Sequence, residues 1–165
     1  MILDFKKIFA DEDGTLSFDY NMDLSETKVS TSYPFVSPVR IKGTAVGKDG
    51  FVQLGFRVSF DFSIPCDRCA RRVDRHYRYS FSHVLVHSLE NKEEDDRFVE
   101  VPNERLNLDE LAREDILLEL PTKFLCREDC RGICPVCGKN LNDGPCGCDL
   151  RHIDPRFDVL RNLIH

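Results

Sequence analysis

The feature that most constrains this chain is the placing of its eight cysteines, which fall into four close pairs: Cys66-x-x-Cys69, Cys126-x3-Cys130, Cys134-x-x-Cys137 and Cys146-x-Cys148. Residues 126–148 hold three of the four pairs and few large apolar side chains. A segment like that cannot order itself by burying surface, and needs a metal or disulfides instead. Disulfides suit a short exported chain. Here the start, Met1 to Ala10, is broken by charge at every second or third step, with no apolar run fit for a signal peptide or a membrane span. The expectation is a cytoplasmic protein without a membrane anchor, whose cysteines serve metal or redox chemistry.

A CxxC turn brings two sulfurs to one ion while backbone N–H groups point at the thiolates, and two such pairs complete a tetrahedral shell with Zn–S near about 2.3 Å. Cys134-Pro135-Val136-Cys137-Gly138 is the sharpest case. Pro135 stiffens the turn, and Gly138 permits the left-handed backbone that follows the second ligand. Four thiolates exclude the hard cations Mg²⁺ and Ca²⁺ and leave no position open for water, so the implied zinc is structural. The candidate ligands are Cys66, Cys69, Cys126, Cys130, Cys134, Cys137, Cys146 and Cys148, in one or two Cys₄ sites. Spacing alone does not say which pairs share an ion. Cys66/Cys69 joins a later pair, or the three C-terminal pairs form their own ribbon. Iron–sulfur runs are spaced differently, and a role as small buried hydrophobes is at odds with the clustering. The remaining alternative is a redox switch, because the Cys134/Cys137 and Cys146/Cys148 layout is similar to that of redox-controlled zinc chaperones, where oxidation ejects the metal.

The rest of the chain is long enough for a core of its own: 165 residues, 41% hydrophobic. From Phe51 to Ile64 every even position is apolar (Val52, Leu54, Phe56, Val58, Phe60, Phe62, Ile64) and most odd ones are polar. This period of two predicts a strand with one face buried and one wet, bent most easily at Gly55. Lys48-Asp49-Gly50 reads as a hairpin turn with Val39 to Gly47 as partner strand. Val73 to His87 is again strand-like, which puts Cys66/Cys69 in the turn between two long strands. Leu16, Phe18 and Tyr20 alternate as a short strand, and Phe98 to Val101 reads as another. The period then changes: Leu108, Leu111, Ala112, Ile116, Leu117 and Leu120 predict a helix over about 108–120, with Asn107 as N-cap and Pro121 as stop. Asp115 interrupts its apolar stripe and calls for a partner. A second helix is expected from Asp154 and Pro155 to Ile164. The fold class is α+β: mainly antiparallel sheet, barrel-like or strongly bent, with one or two helices and a C-terminal cysteine-rich zinc-binding segment. Residues 1–121 form the sheet domain, and 122–165 form the cysteine-rich segment, packed on the same domain.

The formal charge of −6 excludes a general polyanion binder. Between Cys66 and His87, however, Arg68, Arg71, Arg72, Arg75 and Arg78 oppose only Asp67 and Asp74, a local +3 (5 − 2). Interleaved with Tyr77 and Tyr79, these arginines suit phosphate contacts and base stacking on RNA. The alternative is a solvated strand face paired to nearby acids. His76, His83 and His87 are expected as surface or core residues, since eight thiols are available as ligands. No catalytic constellation or phosphate loop is present in the sequence, so neither an enzyme nor a small-molecule substrate is expected.

One family combines these pieces in this order. Cys66-Asp67-Arg68-Cys69, then Arg113 to Pro121 (REDILLELP), then Cys126 to Asn142 (CREDCRGICPVCGKNLN), then Cys146-Gly147-Cys148 before Asp154-Pro155-Arg156, resemble the YceD family, the large ribosomal RNA subunit accumulation proteins of bacteria and plastids. The resemblance covers roughly residues 30–165. It implies a non-catalytic role in accumulation and processing of large-subunit (23S) ribosomal RNA and in ribosome assembly, with that RNA or its precursor as partner. A second class of function is a protein–protein adaptor for a ribosomal protein or a ribonuclease, in which the acidic run from Glu90 to Asp96 attracts a basic protein. The third is the redox-switched zinc chaperone.

Overall fold

A computed structural model describes residues 1–10, 14–88 and 98–148 of the chain. The acidic run from Glu90 to Asp96 and the expected C-terminal helix lie outside the described residues. The elements are β1 (Ile2–Asp4), α1 (Lys6–Ala10), β2 (Thr15–Met22), β3 (Val39–Lys48), β4 (Phe51–Pro65), β5 (Arg72–Val86), β6 (Phe98–Glu100), β7 (Arg105–Asn107), α2 (Leu108–Glu119) and a 3₁₀ turn, Leu141–Asp143. They divide into two compact units. One comprises Met1–Ile64 with Asp74–Thr122, the other Pro65–Val73 with Lys123–His165.

In the first unit β4 is the organising strand. Its even positions from Val52 to Ile64 are buried and its odd ones half-buried or exposed, as the alternation requires. The hairpin to β3 closes at Lys48↔Phe51, with Asp49 (φ 46°) and Gly50 (φ 82°) both in the left-handed region. That is the two-residue turn whose twist matches the strands it joins. The β3–β4 ladder then runs from Lys48↔Phe51 to Arg40↔Ser59 without a break, so no bulge marks Gly55. The glycine that packing requires is its neighbour across the ladder, Gly43. A Cβ there would lie 2.4 Å from the Gly55 carbonyl oxygen, 2.6 Å from Phe56 Cβ and 2.7 Å from Phe18 Cζ, whereas a Cβ on Gly55 meets open space.

The five-stranded sheet has the order β2-β3-β4-β5-β6. β2–β3 and β3–β4 are antiparallel, and the short link from β4 to β5 is too brief for a parallel crossover. β6 adds to β5 in parallel, from Val84↔Phe98 to Val86↔Glu100. Among the described residues β2 and β6 end the sheet without pairing to each other, so it is open rather than a closed barrel. β1 and β7 form a separate antiparallel pair, Ile2↔Asn107 to Asp4↔Arg105. The sequence carried no clear sign of β1 or α1.

α2 buries Leu108, Ala112 and Ile116 and ends at Leu120, whose extended backbone (ψ 142°) is what a residue before proline adopts. Asn107 does occupy the N-cap position, but its side chain makes no capping hydrogen bond. Asp115 finds its partner in His83 of β5, Oδ2 to Nε2 at 2.8 Å, with both side chains largely buried. His83 is therefore a core residue, its ring stacked on Phe56. No helix among the described residues is long and apolar enough to cross a membrane.

Candidate metal centres

All eight cysteines fall in the second unit and carry free thiols. They gather into two sets of four: Cys66, Cys69, Cys126 and Cys130, and Cys134, Cys137, Cys146 and Cys148. Within each set the sulfurs lie within 4.8 Å of one another. In the first, Cys66 Sγ is 3.8 Å from Cys130 Sγ, and Cys69 Sγ is 3.6 Å from Cys126 Sγ. A disulfide needs about 2.05 Å, whereas four sulfurs in a tetrahedron about 2.3 Å from one ion stand about 3.8 Å apart. The donor set and its spacing fit zinc. The question that spacing left open has one answer here: Cys66/Cys69 joins Cys126/Cys130, and the last two pairs close on each other.

The two CxxC turns are built alike. Cys66 N–H donates to the Arg71 carbonyl at 2.8 Å and Ala70 N–H to the Cys66 carbonyl at 2.9 Å. In the second set Cys134 N–H donates to Lys139 O at 2.8 Å and Gly138 N–H to Cys134 O at 2.9 Å. In each, the residue after the second cysteine takes a left-handed backbone: Gly138 at φ 73°, as the sequence suggested, and Ala70 at φ 56°, where a side chain is strained.

The first set is fastened by what surrounds it. Phe124 N–H donates to Asp67 Oδ2 at 2.6 Å, and Asp67 N–H donates back to the Phe124 carbonyl at 2.9 Å. Arg68 donates from Nη1 to the Cys130 carbonyl at 2.9 Å, and its own carbonyl accepts from Ile133 N–H at 3.1 Å. Gly132 passes so close that a Cβ on it would lie 3.0 Å from the Arg68 oxygen.

Donors are aimed at the sulfurs. Cys126 N–H reaches Cys66 Sγ at 3.3 Å, Val136 N–H reaches Cys134 Sγ at 3.4 Å, and the Asn142 amide reaches Cys130 Sγ at 3.3 Å. Burial pushes the Cys66 thiol up, but N–H groups from Arg68, Cys126 and Cys69 outweigh it and hold the thiol down at about 6. N–H groups of Cys137 and Val136 hold Cys134 at about 6 against its burial. The opposite holds for Cys126, which burial and the neighbouring thiols push up to about 12, and for Cys148, which hydrogen bonds with Cys137 and Cys146 push up to about 12. Each set thus seats a thiolate readily but resists full ionisation until a cation balances the crowded sulfurs.

The basic residues do not form one patch. Arg68 serves the first sulfur set, and Arg71 pairs with Asp143 at 2.9 Å in the same unit. Arg72 is exposed at the start of β5. Arg75 and Arg78 lie in the sheet unit at odd and even positions of β5, hence on opposite faces. Tyr77 and Tyr79 are half-buried against phenylalanines, Tyr77 at 5.6 Å from both Phe60 and Phe62 and Tyr79 at 6.1 Å from Phe60, so their rings pack with the core. His76 bonds Asp61 and His87 packs at a tilt against Phe9, so neither joins a sulfur set. The residue that spacing did not single out is Asn142, whose only sequence signal was its place in the cysteine-rich run.

A family model described as large ribosomal RNA subunit accumulation protein YceD matches residues 54–164. An uncharacterized protein, YlbN, of Bacillus subtilis (strain 168) is 29% identical over 153 residues, spanning 91% of this chain and 88% of its own length. An uncharacterized protein of Mycobacterium tuberculosis (strain ATCC 25618 / H37Rv) is 29% identical over 102 residues, 60% of this chain and 49% of the relative. The large ribosomal RNA subunit accumulation protein YCED homolog 1, chloroplastic, of Arabidopsis thaliana is 25% identical over 171 residues, 86% of this chain. The chain spans about half the length of these last two relatives, 49% and 53%. No solved structure matches it.

Proposed function

This chain belongs to the YceD family of large ribosomal RNA subunit accumulation proteins, and on that premise we propose that it is a zinc-bearing, non-catalytic factor for accumulation and assembly of large-subunit ribosomal RNA. The observation that carries the reading is that both four-sulfur sets lie inside the stretch matched by the family model. Bound zinc supplies a cross-link with no open coordination position. The eight cysteines hold it, Asn142 and the backbone N–H groups stabilise the thiolates, and Asp67, Arg68 and Gly132 fix the segments that carry them. The ordered unit then serves as a platform in the cytoplasm for the RNA or for a protein that travels with it. Depletion of the protein tests this: large-subunit rRNA should fall relative to small-subunit rRNA, and a wild-type copy should restore it. An unchanged ratio would remove the reading.

A redox-sensitive zinc unit is the second reading, supported by the exposure of Cys137. It requires mild peroxide to release zinc from the Cys134 set before the Cys66 set.

A further inference from the structure

The outer face of the sheet carries a charge pattern that the fold does not need. Arg40 and Lys42 of β3, Arg57 of β4 and Arg78 of β5 are all exposed there. Together with Ser59 and Ser80 they line a shallow groove of about 250 Å³. It continues into a second, of about 340 Å³, which shares Lys42, Arg57 and Ser80 and also runs over Gly55 and past Thr44. Among the described residues, one carboxylate of the adjoining strand answers the four cations: Asp19 of β2 accepts from Arg40 Nε at 3.1 Å and Nη2 at 3.0 Å, and stands 3.8 Å from Lys42 Nζ. The next along β4, Asp61, is bonded to His76. Among the described residues, the side chains of Arg57 and Arg78 have no hydrogen-bond or ion-pair partner.

Lys42 and Arg57 are moreover direct cross-strand partners. Like charges placed opposite each other on one face work against the pairing of their strands. In a chain of net charge −6, a local +3 (4 − 1) with two unpaired arginines calls for an anion from outside. The groove's form narrows the choice. It is elongated across three strands, offers hydroxyls from Thr44, Ser59 and Ser80 beside the cations, and has an open floor at Gly55, where even a methyl group would touch nothing. Its aromatic neighbours Tyr79 and Phe81 sit at β5 positions of the opposite parity and pack with Phe60 and Phe56. Cations and hydroxyls without a stacking ring suit a repeating phosphate backbone rather than base edges.

We infer that this outer face, through Arg40, Lys42, Arg57 and Arg78, is a contact surface for the phosphate backbone of RNA, read without base specificity. The inference deepens the ribosomal reading above and rests on it for the identity of the RNA. Of the five arginines between Cys66 and His87 it keeps only Arg78, while Arg68 and Arg71 are engaged within the cysteine-rich unit.

Filter binding of the zinc-loaded protein to a transcribed fragment of large-subunit rRNA, across a series of salt concentrations, tests it. Arg57→Ala/Arg78→Ala should weaken binding by about tenfold or more and lower the log–log salt slope by about 2, one for each lost phosphate contact. Arg75→Ala, on the other face of β5, should change neither. Circular dichroism and zinc content of each variant should match the wild type. Polyuridylate should compete far better than polyglutamate of equal charge. Three results would overturn the inference: no rRNA binding by the wild type, unchanged binding by the double variant, or equal competition by polyglutamate, which would point to an acidic protein instead. The depletion experiment is judged separately, so the ribosomal reading survives or fails independently of this surface.

Discussion

Asn142 lies in the chain between the ligands of the second sulfur set, yet its side-chain amide donates to Cys130 Sγ of the first at 3.3 Å. The same side chain accepts through Oδ1 from Arg131 N–H at 2.9 Å and Arg127 Nη2 at 2.8 Å, and the Asn140 carboxamide oxygen holds it through Nδ2 at 2.8 Å. The burial that would push the Cys130 thiol up is outweighed by this amide and the Gly132 N–H, which lower it. The turn of one centre is therefore part of the immediate surroundings of the other.

Asn142→Ala should consequently weaken zinc at the Cys66 set by about 10- to 100-fold, the usual effect of removing a partner behind a ligand. Competition with a chromophoric chelator reads this directly. Asn142→Asp should be no better, since it replaces a donor to a thiolate with a second negative charge.

The left-handed positions make a graded set. Gly132→Ala combines a φ of +76° with a Cβ 3.0 Å from the Arg68 carbonyl oxygen, so it should destabilise by more than the about 1 kcal/mol of backbone strain alone. Gly138→Ala, with nothing within 4 Å, should cost about 1 kcal/mol. Ala70→Gly should be neutral or stabilising, because it relieves the strain at φ 56°. Denaturant unfolding of the zinc-loaded protein ranks the three.

Gly43 and Gly55 are diagonal neighbours across the β3–β4 ladder, Gly43 paired with Phe56 and Gly55 with Thr44, and should respond in opposite ways. Gly43→Ala forces a methyl group against the Gly55 carbonyl and the Phe18 and Phe56 side chains, and should lower stability by about 2–3 kcal/mol, the scale of overpacking a tight core. Gly55→Ala meets open space and should be tolerated. Thermal unfolding of the two variants compares them.

This contrast shows what was legible. The period of two in β4 fixed the buried face residue by residue, and Asp49-Gly50 fixed the hairpin, because both are local properties of sequence. Gly43 was not legible, since its need arises from Phe18 and Phe56 closing on it from neighbouring strands. Nor was the parallel addition of β6, which rests on pairing between distant segments. The cysteine ligands were evident from spacing, but their partition was not, because the two turns use the same local geometry and only the fold carries Cys66 and Cys69 to Cys126 and Cys130. Arg68 read as a candidate RNA contact, whereas its guanidinium donates to the Cys130 carbonyl. Asp115 was flagged by its place in the apolar stripe, but His83 was not foreseeable as its partner.

The His83–Asp115 pair is buried enough to be energetically consequential. Asp115→Ala leaves His83 with no partner at either ring nitrogen, its Nδ1 being already buried without one, and should cost about 2–3 kcal/mol. Replacing both, His83→Phe with Asp115→Leu, should recover much of that loss, because the polar groups then leave together. Unfolding midpoints of the two variants decide it.

Two separate Cys₄ zinc centres would hold two ions, and native mass spectrometry of the purified protein counts them. Two zinc ions per chain are expected, with Cys66→Ser and Cys137→Ser each losing one ion from a different centre and the double variant losing both. A wild-type content of one ion or none, or single variants that lose the same ion, would contradict it.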